Sequence, residues 1–122
     1  MIRNFEDLLV WQRAHSIVLT IYRVTKTYPH DEKFGLVNQI RRSAVSICSN
    51  LAEGNKKSTK DYLRFISISI GSLEETRYHL ILSRDLGYCR NEDFKYLYAE
   101  LDEVGRMLSG LVRSLQLSVP RP

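Results

Sequence analysis

The sequence predicts an all-α protein, an antiparallel up-down-up-down bundle of four helices. Apolar residues recur three or four positions apart in four separate segments, which places an apolar stripe along one face of each helix. Glycine, proline or polar residues separate the segments, and the connections are short. Because helices joined by short loops run antiparallel, we expect the four to form one bundle.

The length and composition agree with a single folded domain. The chain has 122 residues, of which 43% are hydrophobic and 26% are charged. This is enough for one buried core and short for two, so we predict one domain over residues 1–122. The formal net charge of +4 and a pI of about 9.2 favour polyanions only weakly.

The first two helices are predicted over residues 6–27 and 32–53. Pro29 ends the first helix, since proline disfavours helix at the preceding residue and has no backbone N–H to donate. Gly54 is expected to end the second by adopting the left-handed conformation that commonly follows a helix.

The last two helices are predicted over residues 59–86 and 92–117. Ser58 is a suitable N-cap for the third helix, and Gly87 marks its end. Asn91, followed by two acidic residues, has the cap and first-turn charges of a helix start. No β-strand is predicted in any segment.

The second helix has a polar stripe on a different face from its apolar stripe. We predict a partly buried hydrogen-bonded network that fixes helix register, with candidate members Arg42, Asn50, Glu53, Glu74 and Glu75. In the third helix, a mid-helix glycine costs up to about 1 kcal/mol relative to alanine. Gly71 therefore suggests a close helix approach or an interface.

Several segments carry a resemblance to a known family. They read DLLVWQRAH at 7–15, FGLVNQIRRSAVSICSNLAEGN at 34–55, DYLRFISISIGSLEET at 61–76 and LGY at 86–88. Together they resemble the bacterial four-helix-bundle proteins called 23S rRNA intervening-sequence proteins, over nearly the whole chain. The resemblance implies a ring, typically a pentamer, with a role in RNA or nucleic-acid transactions, and it supplies no catalytic residues.

Four cations in the loop after the second helix and at the start of the third are the best candidates for phosphate contacts. They define the basic segment: Lys56, Lys57, Lys60 and Arg64. Lys60 and Arg64 lie one helical turn apart, and only Asp61 opposes the four charges. We add Arg41 as a further candidate for nucleic-acid binding. The alternative is a solvated loop that only keeps the protein soluble.

Aromatic residues beside the basic segment allow two interpretations. Tyr62 and Phe65 could stack on unpaired bases, as aromatic side chains do in single-strand binding. Their helical spacing favours core packing, and Trp11 is likewise expected to be a core or interface anchor.

The sequence gives no support for catalysis, a metal or a cofactor. The three histidines, His15, His30 and His79, are far apart, and no nucleophile motif surrounds them. Cys48 and Cys89 lack metal-ligand spacing, so we expect reduced, buried thiols. A bundle di-metal site needs an acid-x-x-His motif on two helices, which is absent from the sequence.

The sequence therefore predicts a noncatalytic, oligomeric bundle that binds RNA or a nucleoprotein through the basic segment. The alternative is a protein–protein interaction scaffold without a nucleic-acid role. Glu6 and Asp7 stand where a signal peptide would be apolar, and no apolar run reaches the roughly 18 residues of a membrane span. We expect a cytoplasmic protein whose partners are itself, RNA or another nucleic acid, or a second protein, with no membrane.

Overall fold

A computed structural model describes residues 4–118 of the chain, so the ends of the predicted domain lie outside it. These residues form four α-helices: α1 (Leu9–Thr25), α2 (Leu36–Gly54), α3 (Thr59–Asp85) and α4 (Asn91–Ser118). Short 3-10 turns at Phe5–Asp7 and His30–Glu32 precede α1 and α2. Residues 4–118 contain no β-strand, and the prediction of an all-α fold with four helices is confirmed.

The bounds of α3 and α4 agree with the sequence prediction to within one residue, but α1 starts later than predicted. Asn4 caps a separate turn, since its Oδ1 accepts a hydrogen bond from the backbone N–H of Glu6 at 2.8 Å. Leu8 is then extended, so the regular helix begins only at Leu9. The residues predicted as the first turn of α1 form this separate turn.

The start of α2 is also later than predicted, at Leu36 instead of residue 32. His30–Glu32 form a 3-10 turn, and the Glu32 carboxylate accepts a hydrogen bond from the Leu36 N–H at 3.1 Å. An acidic side chain thus satisfies one of the free N–H groups at the helix start. Glu32 lies outside the helix that it caps.

The core lies between the four helices, because each helix packs against the next along the chain and α4 packs against α1. The contact between α2 and α3 is the most extensive. All four helices contribute large, fully buried side chains: Ile17, Ile21, Ile40, Ile47, Leu51, Ile66, Leu73, Leu80, Leu97, Leu101, Val104 and Leu108. Within residues 4–118, every helix is too short or too polar to be a candidate membrane span.

The prediction of a left-handed Gly54 is wrong. Gly54 is the last residue of α2 and does not have a positive φ, whereas Gly87 has a φ of 78°. Glycine is needed at this position because α3 leaves no room for a side chain. A Cβ at Gly54 would lie 2.6 Å from the Cβ of Phe65 and 3.0 Å from Cδ1 of Tyr62, so α2 and α3 approach closely only because no side chain is present here.

Gly71 has no such neighbour. A Cβ built at this position would have nothing within 4 Å, and the residue is exposed in the middle of α3. Of the two readings that the sequence allowed, a close approach of helices at Gly71 does not occur in the described part of the chain.

Candidate nucleic-acid interface

The basic segment spans the connection from α2 to α3 and the first turns of α3. Ser58 caps α3 as predicted, because its Oγ accepts a hydrogen bond from the backbone N–H of Asp61 at 3.3 Å. All four cationic side chains of the segment are exposed. The cap thus fixes where α3 starts, and the start of α3 brings Lys60 and Arg64 onto the same end of the bundle as the α2–α3 loop.

The charges of the basic segment are not neutralised within the described part of the chain. None of its four cations pairs with a carboxylate there, whereas five arginines do so elsewhere: Arg13, Arg77, Arg84, Arg90 and Arg106. The Arg64 guanidinium lies 4.6 Å from the centroid of the Phe65 ring, a contact that leaves its charge free.

A cleft of about 450 Å³ adjoins the basic segment. Its lining combines the N-terminal turn with the end of α2: Asn4, Phe5, Ala52, Glu53, Asn55, Lys56 and Lys57. Phe5 packs edge-on against Trp11, with ring centroids 5.0 Å apart. The cleft therefore places an aromatic ring, amide groups and the Glu53 carboxylate beside two lysines. The ring and the lysines suit an unpaired base next to a phosphate.

Sequence reasoning missed the contribution of Phe5 and Asn4 to this cleft. They precede the basic segment by about fifty residues in the sequence, and only tertiary packing brings the two regions together. A signal was available, since Asn4 is a good cap residue followed by Asp7 and could have indicated a separate turn before α1.

The aromatic residues beside the basic segment belong to the core. Tyr62 is 7% exposed and Phe65 is 8% exposed, so neither side chain presents a face to solvent for base stacking. The core interpretation is confirmed for both residues. Trp11 is partly buried against the core and stacks on His15, with ring centroids 5.0 Å apart, in agreement with its predicted role as an anchor.

Arg41 does not belong to the surface formed by the basic segment. It lies thirteen residues before Gly54 on α2, which is roughly 20 Å along the helix axis. Its Nε donates to Thr25 Oγ1 at 2.9 Å and its Nη2 donates to the Tyr22 carbonyl at 3.2 Å. These bonds hold Arg41 against the last turn of α1, at the opposite end of the bundle.

The predicted polar network is divided into separate clusters. Asn50 donates to the carbonyl and to Oγ of Ser46, and Ser46 Oγ lies 2.7 Å from Ser72 Oγ across the α2–α3 contact. Glu74 instead accepts from Arg77 Nε at 3.1 Å, and Arg77 also pairs with Asp102 on α4. Asn50 and Glu74 therefore do not share a network.

The other three predicted members stay at the surface. Arg42 and Glu75 line a polar cleft of about 360 Å³, and Glu53 lines the cleft beside the basic segment. None of the three forms a hydrogen bond or ion pair with another described residue. The prediction of one network is wrong because the buried positions between α2 and α3 hold small hydroxyl residues and a histidine instead.

These buried polar residues connect α2 to α3 through short side chains. Thr76 Oγ1 lies 2.8 Å from Ser43 Oγ, which is 3.2 Å from His79 Nδ1. Ser69 Oγ donates to the Ile47 carbonyl at 2.9 Å. Buried polar groups are costly unless paired, so these bonds select one register between the two helices.

The buried imidazole of His79 predicts a pH dependence of stability. Burial lowers the pKa of His79 below its ordinary value of 6.5, against the opposing effect of the Glu75 carboxylate. The unfolded chain therefore binds this proton more readily than the folded chain does. Above pH 6.5, the ordinary pKa, His79 should not affect the free energy of unfolding, and below pH 6.5 its protonation should lower that free energy.

The measurement is urea denaturation of the wild type and of His79→Asn between pH 8 and pH 5. We expect the wild type to lose more stability than the variant over this range, since the asparagine has no proton to gain. Parallel curves for the two proteins would show that protonation of His79 does not oppose folding.

Cys48 and Cys89 are free and buried, as predicted. Burial raises the pKa of the Cys48 thiol to about 12 and also raises that of Cys89. Both thiols are therefore protonated at neutral pH and unreactive. Within residues 4–118, no three histidine, cysteine or acidic side chains come together as a group that could hold a metal ion.

The comparisons with known proteins agree with the fold and the quoted segments. The model of the family described as 23S rRNA-intervening sequence protein matches residues 6–110. The chain belongs to this family. The resemblance stated from the sequence is thus confirmed over most of the chain.

A solved structure shares the fold of this family member. It is a protein from Bacteroides thetaiotaomicron VPI-5482, described as of unknown function and from the S23 ribosomal protein family. The two structures have a TM-score of 0.78 and 23% sequence identity, over 85% of this chain and 98% of the other. At this identity the similarity concerns the fold. No curated protein matches the chain.

Proposed function

We propose that the protein is a noncatalytic, cytoplasmic homo-oligomer that binds RNA, alone or in a nucleoprotein, through the basic segment. One observation carries this proposal: four exposed cations lie together at one end of the bundle, and none has a carboxylate partner within residues 4–118. Phosphate groups provide the missing counter-charge. The family description, which names 23S rRNA, favours RNA as the source of these phosphates.

The cleft beside the basic segment suits single-stranded or looped RNA. Backbone phosphates contact Lys56, Lys57, Lys60 and Arg64, and one unpaired base enters the cleft beside Phe5. Most sequence-specific recognition of RNA uses such unpaired bases, because the deep groove of duplex RNA does not admit side chains. We therefore expect a preference for RNA with loops or single-stranded ends over duplex DNA.

We further propose that the helices run antiparallel and that the protomers assemble as a ring, most simply the pentamer that the resemblance implies. Support for the antiparallel order comes from contacts in which residue numbers rise along α2 and fall along α3: Ser43 with Thr76, Ser46 with Ser72 and Ile47 with Ser69. Exposed large apolar residues, among them Leu19, Phe34 and Tyr78, support burial in an assembly. A ring would repeat the basic segment around its axis.

A protein–protein scaffold without RNA binding is the second candidate, and Gly71 favours it. This glycine weakens α3 without a packing reason among the described residues, and the neighbouring Ile68 is 42% exposed. A small residue beside an exposed apolar one suits the close approach of a second protein. The same face would also serve contacts between protomers.

The decisive experiment is fluorescence anisotropy of the purified protein with structured RNA, single-stranded RNA and duplex DNA, each over a range of salt. Four phosphate contacts per protomer predict that log K falls with log salt with a slope of about −3. No binding to any of the three at low salt would favour the scaffold. Sedimentation over a concentration series tests assembly, which a persistent monomer near 14.2 kDa would contradict.

A further inference from the structure

A second cationic site lies at the corner where α1 leads into α2. The α1–α2 corner cleft has a volume of about 190 Å³. Three of its lining residues are cations, Lys26, Lys33 and Arg41, and the imidazole of His30 adds another nitrogen. Its lining within residues 4–118 contains no aspartate or glutamate. The cleft therefore carries three formal positive charges and no lining carboxylate to oppose them.

Arg41 is held in this cleft by neutral groups. Its guanidinium donates to the hydroxyl of Thr25 and to the carbonyl of Tyr22, and it lies 4.4 Å from the centroid of the Tyr22 ring. A guanidinium has five N–H groups in a planar fork, so further donors remain for a ligand. Arg41 is thus fixed in position while its charge stays available.

The carboxylates adjacent to the cleft in sequence do not line it. Glu32 is oriented away by two hydrogen bonds, since one oxygen accepts from the Leu36 N–H at 3.1 Å and the other from the Tyr88 hydroxyl at 3.1 Å. Asp31 is exposed and does not line the cleft. Among the described residues, neither Lys26 nor Lys33 forms an ion pair with a carboxylate.

We propose that the α1–α2 corner cleft binds a phosphate group through Arg41, Lys26, Lys33 and His30. Arginine offers paired donors that match phosphate oxygens, and the lysines add mobile charges around it. The volume is below the roughly 300 Å³ at which sites for larger ligands begin, which limits the buried part of the ligand to a small group.

This site is separate from the basic segment. Arg41 lies roughly 20 Å along α2 from Gly54, so one phosphate cannot contact both ends of the bundle. The phosphate belongs either to a free ion or nucleotide, or to the backbone of a nucleic acid that extends past the basic segment. The free-ion case does not depend on the function proposed above.

The test compares two double variants with the wild type. Lys26→Gln/Lys33→Gln removes two cations of the cleft and leaves Arg41 in place. Arg90→Gln/Lys95→Gln is the control: it changes the net charge equally with exposed residues of the loop before α4 and its first turns, which do not line the cleft. Circular dichroism and urea denaturation establish that all three proteins are equally folded.

Calorimetric titration with inorganic phosphate and with adenosine monophosphate is the first arm. We expect binding to the wild type and the control, and at least about tenfold weaker binding to the cleft variant, because two charged contacts are lost. The second arm is anisotropy with single-stranded RNA over a salt series. A backbone phosphate in the cleft would lower the salt slope of the cleft variant by about 0.7.

If the cleft variant binds free phosphate more weakly and the control does not, the result supports a site for a free phosphate ion or nucleotide. If the salt dependence of RNA binding is shallower in the cleft variant and unchanged in the control, the result supports a site for a backbone phosphate of RNA. The proposal is overturned if the wild type fails to bind phosphate at millimolar concentration and all three proteins show the same RNA slope, or if both double variants lose binding equally. RNA binding that depends only on the basic segment, together with phosphate binding that is unchanged in the cleft variant, leaves the proposed function intact and overturns this site.

Discussion

Replacement of Lys56, Lys57 and Lys60 by glutamate should weaken RNA binding by roughly a hundredfold or more at low salt. Each substitution removes a phosphate contact and adds a charge that repels the backbone. The slope of log K against log salt should become shallower by about 2. Fluorescence anisotropy with the RNA that binds the wild type most tightly measures both quantities.

The triple variant should still fold, so loss of binding can be assigned to the surface. All three side chains are exposed, and a glutamate at residue 60 would place a negative charge in the first turn of α3, where it stabilises the helix. The matched control reverses three exposed cations elsewhere that form no ion pair with a described residue: Arg23, Lys95 and Arg113. Equal loss of affinity in both triple variants would mean that net charge, not the basic segment, governs binding.

The helices were predictable because their signals are local. The buried face of α4 is formed by regularly spaced apolar residues, and Ser58 caps α3 where the sequence indicates. The starts of α1 and α2 were missed because each is preceded by a separate 3-10 turn. Asn4 stabilises the first turn, and Glu32 caps α2 from outside the helix, details that apolar periodicity does not reveal.

The basic segment was predictable for the same reason, since its four cations lie close together in the sequence. The partners of single side chains were not. Arg41 was a further candidate for nucleic-acid binding, but it packs on the last turn of α1, and Arg77 takes Glu74 of its own helix and Asp102 of α4 as partners. Contacts between helices, such as those of Arg41 and Asp102, depend on the rotation of each helix about its axis, which apolar periodicity does not determine.

At Gly54, the close packing of α2 against α3 accounts for the glycine, whereas the sequence pattern indicated the end of a helix. Glycine after an apolar stripe indicates a left-handed cap, yet Gly54 continues α2 where the helix passes closest to α3. The nearest atom to a new methyl group would be the Cβ of Phe65, which is attached to the α3 backbone and cannot rotate away. Relief of this contact therefore requires movement of a helix backbone.

We expect Gly54→Ala to lower the free energy of unfolding by about 2 kcal/mol, within the usual range for overpacking, even though alanine favours helix. Urea denaturation at a fixed protein concentration measures the change, because the stability of an oligomer depends on concentration. A variant as stable as the wild type would show that α2 and α3 do not approach as closely as described.

Gly71→Ala is the matched control, with the same chemical change in a helix but nothing within 4 Å of the new methyl group. Helix propensity alone predicts a gain of up to about 1 kcal/mol in the free energy of unfolding. The two alanine substitutions should thus have opposite signs. If Gly71→Ala instead destabilises the protein and shifts its sedimentation toward monomer, the exposed face around Gly71 is the contact between protomers. The glycine would then lower the stability of α3 itself but permit the close contact that assembly requires.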